Sequence, residues 1–205
     1  MLYSELKSNV AAWMNRTDLT SFIPTFVALA QDRIYLGSPE IDVDPLRIGD
    51  MLTVVNPFTG SLPANWTEIK RLSWIQSGSI KYPIEFMPLE KIGPYEGIAA
   101  RPQFFSIRGD TVVYGPTFTN DVELMYYARP ANLSADSDVI PFGVMDAVYL
   151  YGTMLEASLF LKDDAQAARL VQVYKNAINA VQKQDDGNLH SGNTLRIRSD
   201  SRVLV

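Results

Sequence analysis

Cysteine is absent from the 205 residues, and histidine occurs once, as His190. These two gaps remove thiolate nucleophiles, disulfides, Cys/His zinc sites and every triad that needs an imidazole base. A basic surplus is also missing: 18 Lys and Arg stand against 23 Asp and Glu, for a formal net charge of −5 and a pI near 4.9. A generic electrostatic grip on nucleic-acid phosphates therefore has no support. No window approaches the roughly 18 apolar residues of a membrane span. The opening MLYSELKSNVAAW carries Glu5 and Lys7 where an export signal would need an uninterrupted apolar run, so the chain reads as cytosolic in origin and not membrane-bound. Neither G-x-x-x-x-G-K-[ST] nor G-x-G-x-x-G occurs, which leaves nucleotide binding unsupported.

What is present describes an ordinary globular chain. With 47% hydrophobic and 20% charged residues, it can bury one good core or two small ones. Leu2, Leu6, Val10 and Trp13 recur at helical spacing across residues 2–15. A second helix is predicted over 21–36, with Thr20 or Ser21 as cap, Pro24 in the first turn, and Gly37 and Pro39 ending it. From about residue 40 to 130 the pattern changes to short β-branched and aromatic runs punctuated by Gly and Pro: MLTVV, EIKRLSWIQ, YPIEFMPL, QFFSIRG and DTVVYGP. Gly109-Asp110 predicts a hairpin turn, with VELMYYARP as a third strand beside that hairpin.

Helical periodicity returns at Pro141. Val144, Val148, Tyr151, Leu155 and Leu159 form one stripe of a helix over 142–162, apolar on most sides and so expected to be central. Asp163 or Asp164 caps a last helix over 164–185, striped by Ala167, Leu170, Val171, Tyr174, Ile178 and Val181. The remainder, rich in Gly, Asn and Ser, is expected to be extended. The predicted fold class is α+β: an antiparallel bundle of four main helices, a β-rich insertion between the second and third, and an extended C-terminal tail. The corresponding division is 1–40 with 140–186 for the bundle, 41–139 for the β-rich part and 187–205 for the tail. The 121–140 stretch is the lead that returns the chain to a helical core begun before it.

Candidate motifs reduce mostly to structure. Arg108-Gly109-Asp110 spells a receptor-read tripeptide, but a two-residue hairpin turn needs Gly and Asp for backbone reasons alone. Asp42 and Asp44 form an Asp-x-Asp without the Gly-centred ligand ladder of a calcium loop. Asp163-Asp164 and Asp185-Asp186 fall at predicted helix ends, and Gly93 to Gly97 is a turn cluster. The sequons at Asn15, Asn65 and Asn132 are turn chemistry in a chain without an export signal. Trp66, Trp74, Phe104, Phe105, Tyr114, Phe118, Tyr126 and Tyr127 could form a sugar-stacking platform, although aromatics at strand spacing generally serve as core and cross-strand pairs. No catalytic, cofactor-binding or metal-ligating residue is nominated, so the chain is expected not to be an enzyme; a carboxylate-based hydrolase is the weakest alternative. The tail is less bland. Leu195 and Ile197 alternate with Arg196 and Arg198, with Arg202 beyond, a pattern able to add a strand to a protein partner.

Read in order, WMNRTDLTSFIPTFVALAQDRI, FSIRGDTVVYGPTFTNDVELMYYARPANLSADSDVIP and VYLYGTMLEASLFLKDDAQAARLVQVYKNAI resemble the head-to-tail adaptor, or connector, proteins of short-tailed bacteriophages over roughly residues 10–180. The resemblance implies a structural virion protein: a homo-oligomeric ring, usually a dodecamer, beneath the portal protein. Such a ring meets a tail or nozzle protein and continues the DNA channel without sequence-specific binding. It implies no cofactor, a place in the virion neck after synthesis in the host cytoplasm, and a C-terminal segment that reaches the portal, which here maps to Leu195, Arg196, Ile197, Arg198 and Arg202. The competing class is a carbohydrate- or receptor-binding virion module, which exposed aromatics in the β-rich region would favour.

Overall fold

The computed structural model describes residues 1–76, 80–116 and 121–190. The first apolar stripe becomes helix α1, Tyr3–Met14, burying Tyr3, Leu6 and Val10. Glu5 reaches back to accept the Leu2 N–H at 2.7 Å, satisfying one of the donors that a helix start leaves unpaired. Helix α2 is Ile23–Leu36. Its N-cap is Phe22, without a side-chain cap, so neither Thr20 nor Ser21 takes the capping role that the sequence offers them. Short helix α3, Leu89–Ile92, lies between strands. Helix α4 spans Asp146–Phe160, starting later than Pro141 suggests because residues 141–145 form turns. Helix α5, Asp164–His190, is capped by the Asp163 carboxylate, which accepts the Gln166 N–H at 3.0 Å.

Six strands form one sheet: β1 Leu52–Val55, β2 Trp66–Gln76, β3 Ile80–Phe86, β4 Phe104–Arg108, β5 Thr111–Gly115 and β6 Val122–Ala128. Their spatial order is β1-β6-β2-β3-β4-β5, antiparallel except for the β3–β4 pair. Gly109, at φ 63°, makes the two-residue turn that joins Arg108 to Thr111. Beyond β1 the chain passes over the sheet: Phe58 N–H bonds to Val122 O, Val112 N–H to Gly60 O and Leu62 N–H to Asp110 O, each 2.8 Å. Residues 58–62 thereby carry the β1 side of the sheet to the start of β5. Phe58, Leu62, Leu72, Ile84, Phe105, Val112, Val122, Leu124 and Tyr126 fill one apolar cluster beneath these strands.

Two expectations are corrected. The molecule is α+β, but it is not an antiparallel four-helix bundle carrying a modest β insertion: the described residues hold five α-helices and a large six-stranded mixed sheet. Helix α4 is the hub, with α1, α2 and α5 all packed on it, and the same core also takes in Val43, Leu46, Ile48 and Met51 from the approach to β1. Periodicity showed which face of each helix is apolar but not which element covers it, and loop residues supply part of that cover. Secondly, β6 does not join the β4–β5 hairpin. It lies between β1 and β2, where Val122, Glu123 and Leu124 are buried in succession, as a central strand requires.

The C-terminal boundary also differs. Helix α5 continues through Asp185, Asp186 and Gly187 to His190, so an extended tail does not begin at residue 187, and Asp185 lies inside the helix, in its last turns.

Candidate docking surfaces

Leu195, Arg196, Ile197, Arg198 and Arg202, the residues nominated from sequence for a protein partner, lie outside the described residues. The structure does place their point of departure. The Asp185 carboxylate accepts the Gly49 N–H at 2.9 Å, fastening the last turns of α5 to the 3-10 turn Gly49–Met51 that leads into β1.

The buried ionisable groups sit in closed ion pairs. Glu156 on α4, whose side chain is 9% exposed, receives Arg33 Nε of α2 at 2.6 Å. Arg33 also donates to Ser38 Oγ, which bonds to the Glu40 carboxylate. That bond, with the nearby guanidinium, holds Glu40 below the usual carboxylate range. In the sheet, the Glu123 carboxylate is buried and shared by Lys81 and Arg71. Asp42 stands in solvent with Lys175 3.8 Å away, beside a shallow groove lined by Asp44, Ile178 and Gln182. Among the described residues, no three His, Cys, Asp or Glu side chains converge as metal ligands would.

A second polar network locks the return lead. Tyr35 and Tyr149 hydroxyls meet at 3.1 Å, and Gln31 donates to Tyr149 at 3.4 Å while its carbonyl accepts Leu133 N–H at 3.3 Å. Burial pushes both phenols above their ordinary value, keeping them neutral hydrogen-bonding groups. Arg129, at the end of β6, donates to Asp32 of α2 at 2.6 Å. The connector between β6 and α4, residues 129–145, is held against the helices because Arg129 and Leu133 are bonded to α2, while Tyr3 N–H to Asp138 O (2.8 Å) ties it to α1.

The aromatics of the sheet are largely engaged. Phe105 and Tyr126 are in the core, and Trp66, Trp74, Phe104, Tyr114 and Tyr127 are half-buried. Arg101 covers the Tyr82 ring at 3.8 Å, and Tyr82 packs on Trp74. Phe118 lies outside the described residues. Phe86 of β3 is the exception among the sheet aromatics, 62% exposed although its ring packs edge-on against Phe105, and Ile80 at the other end of β3 is exposed as well. The helices also carry exposed apolar surface. Phe22, Leu29 and Leu36 are 45%, 47% and 62% exposed, and their spacing of seven aligns them along one face of α2. Phe160 of α4, half-exposed, extends the seam by packing on Phe22 at 5.2 Å and Phe26 at 5.4 Å. The stripe read from sequence runs through Leu159, which the structure leaves 46% exposed beside Phe160. The available signal was excess: α4 is apolar on more sides than its neighbours can cover.

These surfaces belong to a chain that the profile of the SU10 adaptor protein family matches over residues 1–198, spanning the helices and the whole sheet. The chain belongs to that family. Its members are structural bacteriophage adaptor proteins, a class that implies contact with portal and tail proteins in the virion neck. No curated protein matches the chain in sequence. No described helix of this SU10 adaptor family member is long and apolar enough to cross a membrane.

Proposed function

We propose that the protein is the subunit of an adaptor ring, a dodecamer, that joins the portal to a tail or nozzle protein and continues the DNA channel. The observation that carries this reading is the family match over residues 1–198, which takes in both apolar clusters. In this reading the helical part, residues 1–40 and 140–186, packs around the ring, and the β-rich part, 41–139, meets the tail. The Phe22–Leu29–Leu36 seam supports it, since apolar area at helical register is what helix–helix contact between neighbours buries. The net charge of −5 supports it as well: a channel that lets DNA slide favours acidic or neutral walls, whereas tight binding would need basic ones. The portal contact falls to the C-terminal segment with Leu195, Arg196, Ile197, Arg198 and Arg202. Many such segments held in one ring bind together far more tightly than one alone.

Electron microscopy of the purified protein mixed with its portal tests the reading. Twelvefold density coaxial with the portal is the expected result. Leu29→Glu with Leu36→Glu should abolish ring density while leaving the circular dichroism of the monomer unchanged. Failure to associate with the portal under any condition, or hydrolysis of polysaccharide or peptidoglycan abolished by a single Asp or Glu substitution, would overturn it.

A further inference from the structure

Helices α2 and α5 turn outward two faces of opposite character. From residue 22 to 36 the only exposed charged residue is Asp32, and Arg129 already pairs with it at 2.6 Å. The groove beside Leu29 and Leu36 is lined by the carboxylates of Asp32, Glu40 and Glu156 together with Arg33. Even with Arg129 counted, three carboxylates stand against two guanidiniums, so the rim is acidic. Glu40 is its outermost member, with a side chain 75% exposed. An apolar seam with a charged rim is the anatomy of a surface that an assembly covers.

The outward face of α5 is its counterpart. Between Asp164 and Asp185 this helix has no acidic residue, and its cations are Arg169, Lys175 and Lys183. Lys175 leans toward Asp42, whereas Arg169 and Lys183 are exposed and make no ion pair among the described residues. They lie four turns apart, about 21 Å along the axis, with Asn176 midway. Val173 and Ala180 are exposed between them, and Gln172 donates to Asn176 at 3.2 Å, which leaves little unmet polarity in the middle of the face. Phe22 and Leu36 have the same separation, with Leu29 midway, so the two faces match in length. Two α2 faces set together would oppose their acidic rims, and two α5 faces would oppose unpaired cations; α2 against α5 avoids both.

We propose that the α2 seam of one subunit packs antiparallel on the outward face of α5 in the next subunit, with Leu29 over Asn176. Arg169 then lies beside Leu36 at the Asp32–Glu40 rim, and the stem of Lys183 covers Phe22 at the other end. The contact joins different surfaces of identical chains, which is the heterologous kind that closes into rings. It rests on the ring reading above for the presence of a neighbour, and names the surface that neighbour offers.

The absence of native cysteine gives a clean test. Full-length Leu29→Cys and Asn176→Cys proteins are mixed with the portal, oxidised mildly and separated without reductant. A disulfide-linked dimer that requires both variants is the expected result. Arg169→Glu in the Asn176→Cys chain should lower its yield about tenfold by setting like charges together, and Glu40→Lys in the Leu29→Cys chain should restore it. No mixed dimer, a dimer from Leu29→Cys alone, or a yield indifferent to Arg169→Glu would each overturn the proposal. Microscopy of the same sample separates the two readings. Twelvefold density without the mixed dimer overturns this pairing alone, whereas a mixed dimer without density coaxial with the portal supports the pairing and overturns the ring.

Discussion

Arg33 on α2 directs its Nε to within 2.6 Å of Oε1 of Glu156 on α4, and both side chains are largely removed from solvent. This pair joins two helices that lie 123 residues apart in sequence and sits beneath the shallow groove beside Leu29 and Leu36. Burying two charges is costly, and their attraction offsets the cost only while both are present.

Arg33→Met should therefore destabilise the protein by about 3–5 kcal/mol, because it leaves Glu156 buried without compensation. The double variant with Glu156→Leu should recover most of that loss. Urea denaturation of the three proteins checks this; a double variant no more stable than Arg33→Met would show that packing at this site, not the orphaned charge, sets the penalty.

Gly152 is the point at which α4 is pinched by its neighbours. A Cβ there would stand 3.2 Å from the Tyr174 ring on α5 and 3.4 Å from Ala30 on α2. Gly152→Leu should overpack this junction and cost about 1–3 kcal/mol or more. Thermal melting reads the effect, and an unchanged transition would mean that α4 is not held tightly between α2 and α5.

Gly37 ends α2 at φ 82° and ψ 176°, a region essentially reserved for glycine. A Cβ would also meet Pro45 Cδ at 2.8 Å. Gly37→Ala should cost about 1–3 kcal/mol from backbone conformation alone. The companion Leu36→Ala, at an exposed position, should lower stability far less, so equal losses in denaturant titrations would refute the account.

Asp138 accepts the N–H groups of Ser134 and Ala135, both at 2.8 Å, and these bonds hold its carboxyl below the usual carboxylate range. In the unfolded chain it titrates near the ordinary value of about 3.9. Its contribution is therefore fully present well above that value and is lost as pH falls through the lower, folded-state value. Asp138→Ala should destabilise the protein at neutral pH, and the gap to the parent should close below about pH 4. Melting curves across that range decide it; a gap that stays constant with pH would assign the loss to something other than this carboxylate.

How much of this was legible from sequence depends on the range of the interaction. The residue spacing in LYSELKSNVAAWM, Pro24 with Gly37, Asp163 before α5 and Gly109-Asp110 between two alternating runs each specify a local conformation, because hydrogen bonds three or four residues apart and the φ of a turn residue involve only neighbours. The ordered series of such elements was also enough to indicate an adaptor family, and the match over residues 1–198 shows it. The predicted bundle did not survive, because an apolar stripe does not name its partner. Only the folded chain decides that α4 takes α1, α2 and α5 together, and that β6 slots between β1 and β2 although β4 and β5 precede it in sequence.

The same limit governs the functional surfaces. Composition alone excluded disulfide, thiolate and Cys-ligated zinc chemistry, since a missing residue type cannot be supplied by folding. Phe22, Leu29 and Leu36 look like ordinary core residues in sequence, and Asp185 looks like a helix end. Their roles as an exposed seam and as a fastening for Gly49 emerge only when distant elements have filled the core and used up its capacity to bury apolar area, leaving some residues outside. Sequence by itself determined the local elements and the chemistry that is out of reach; tertiary structure decided which apolar faces remain uncovered, because coverage depends on pairings between residues more than a hundred positions apart.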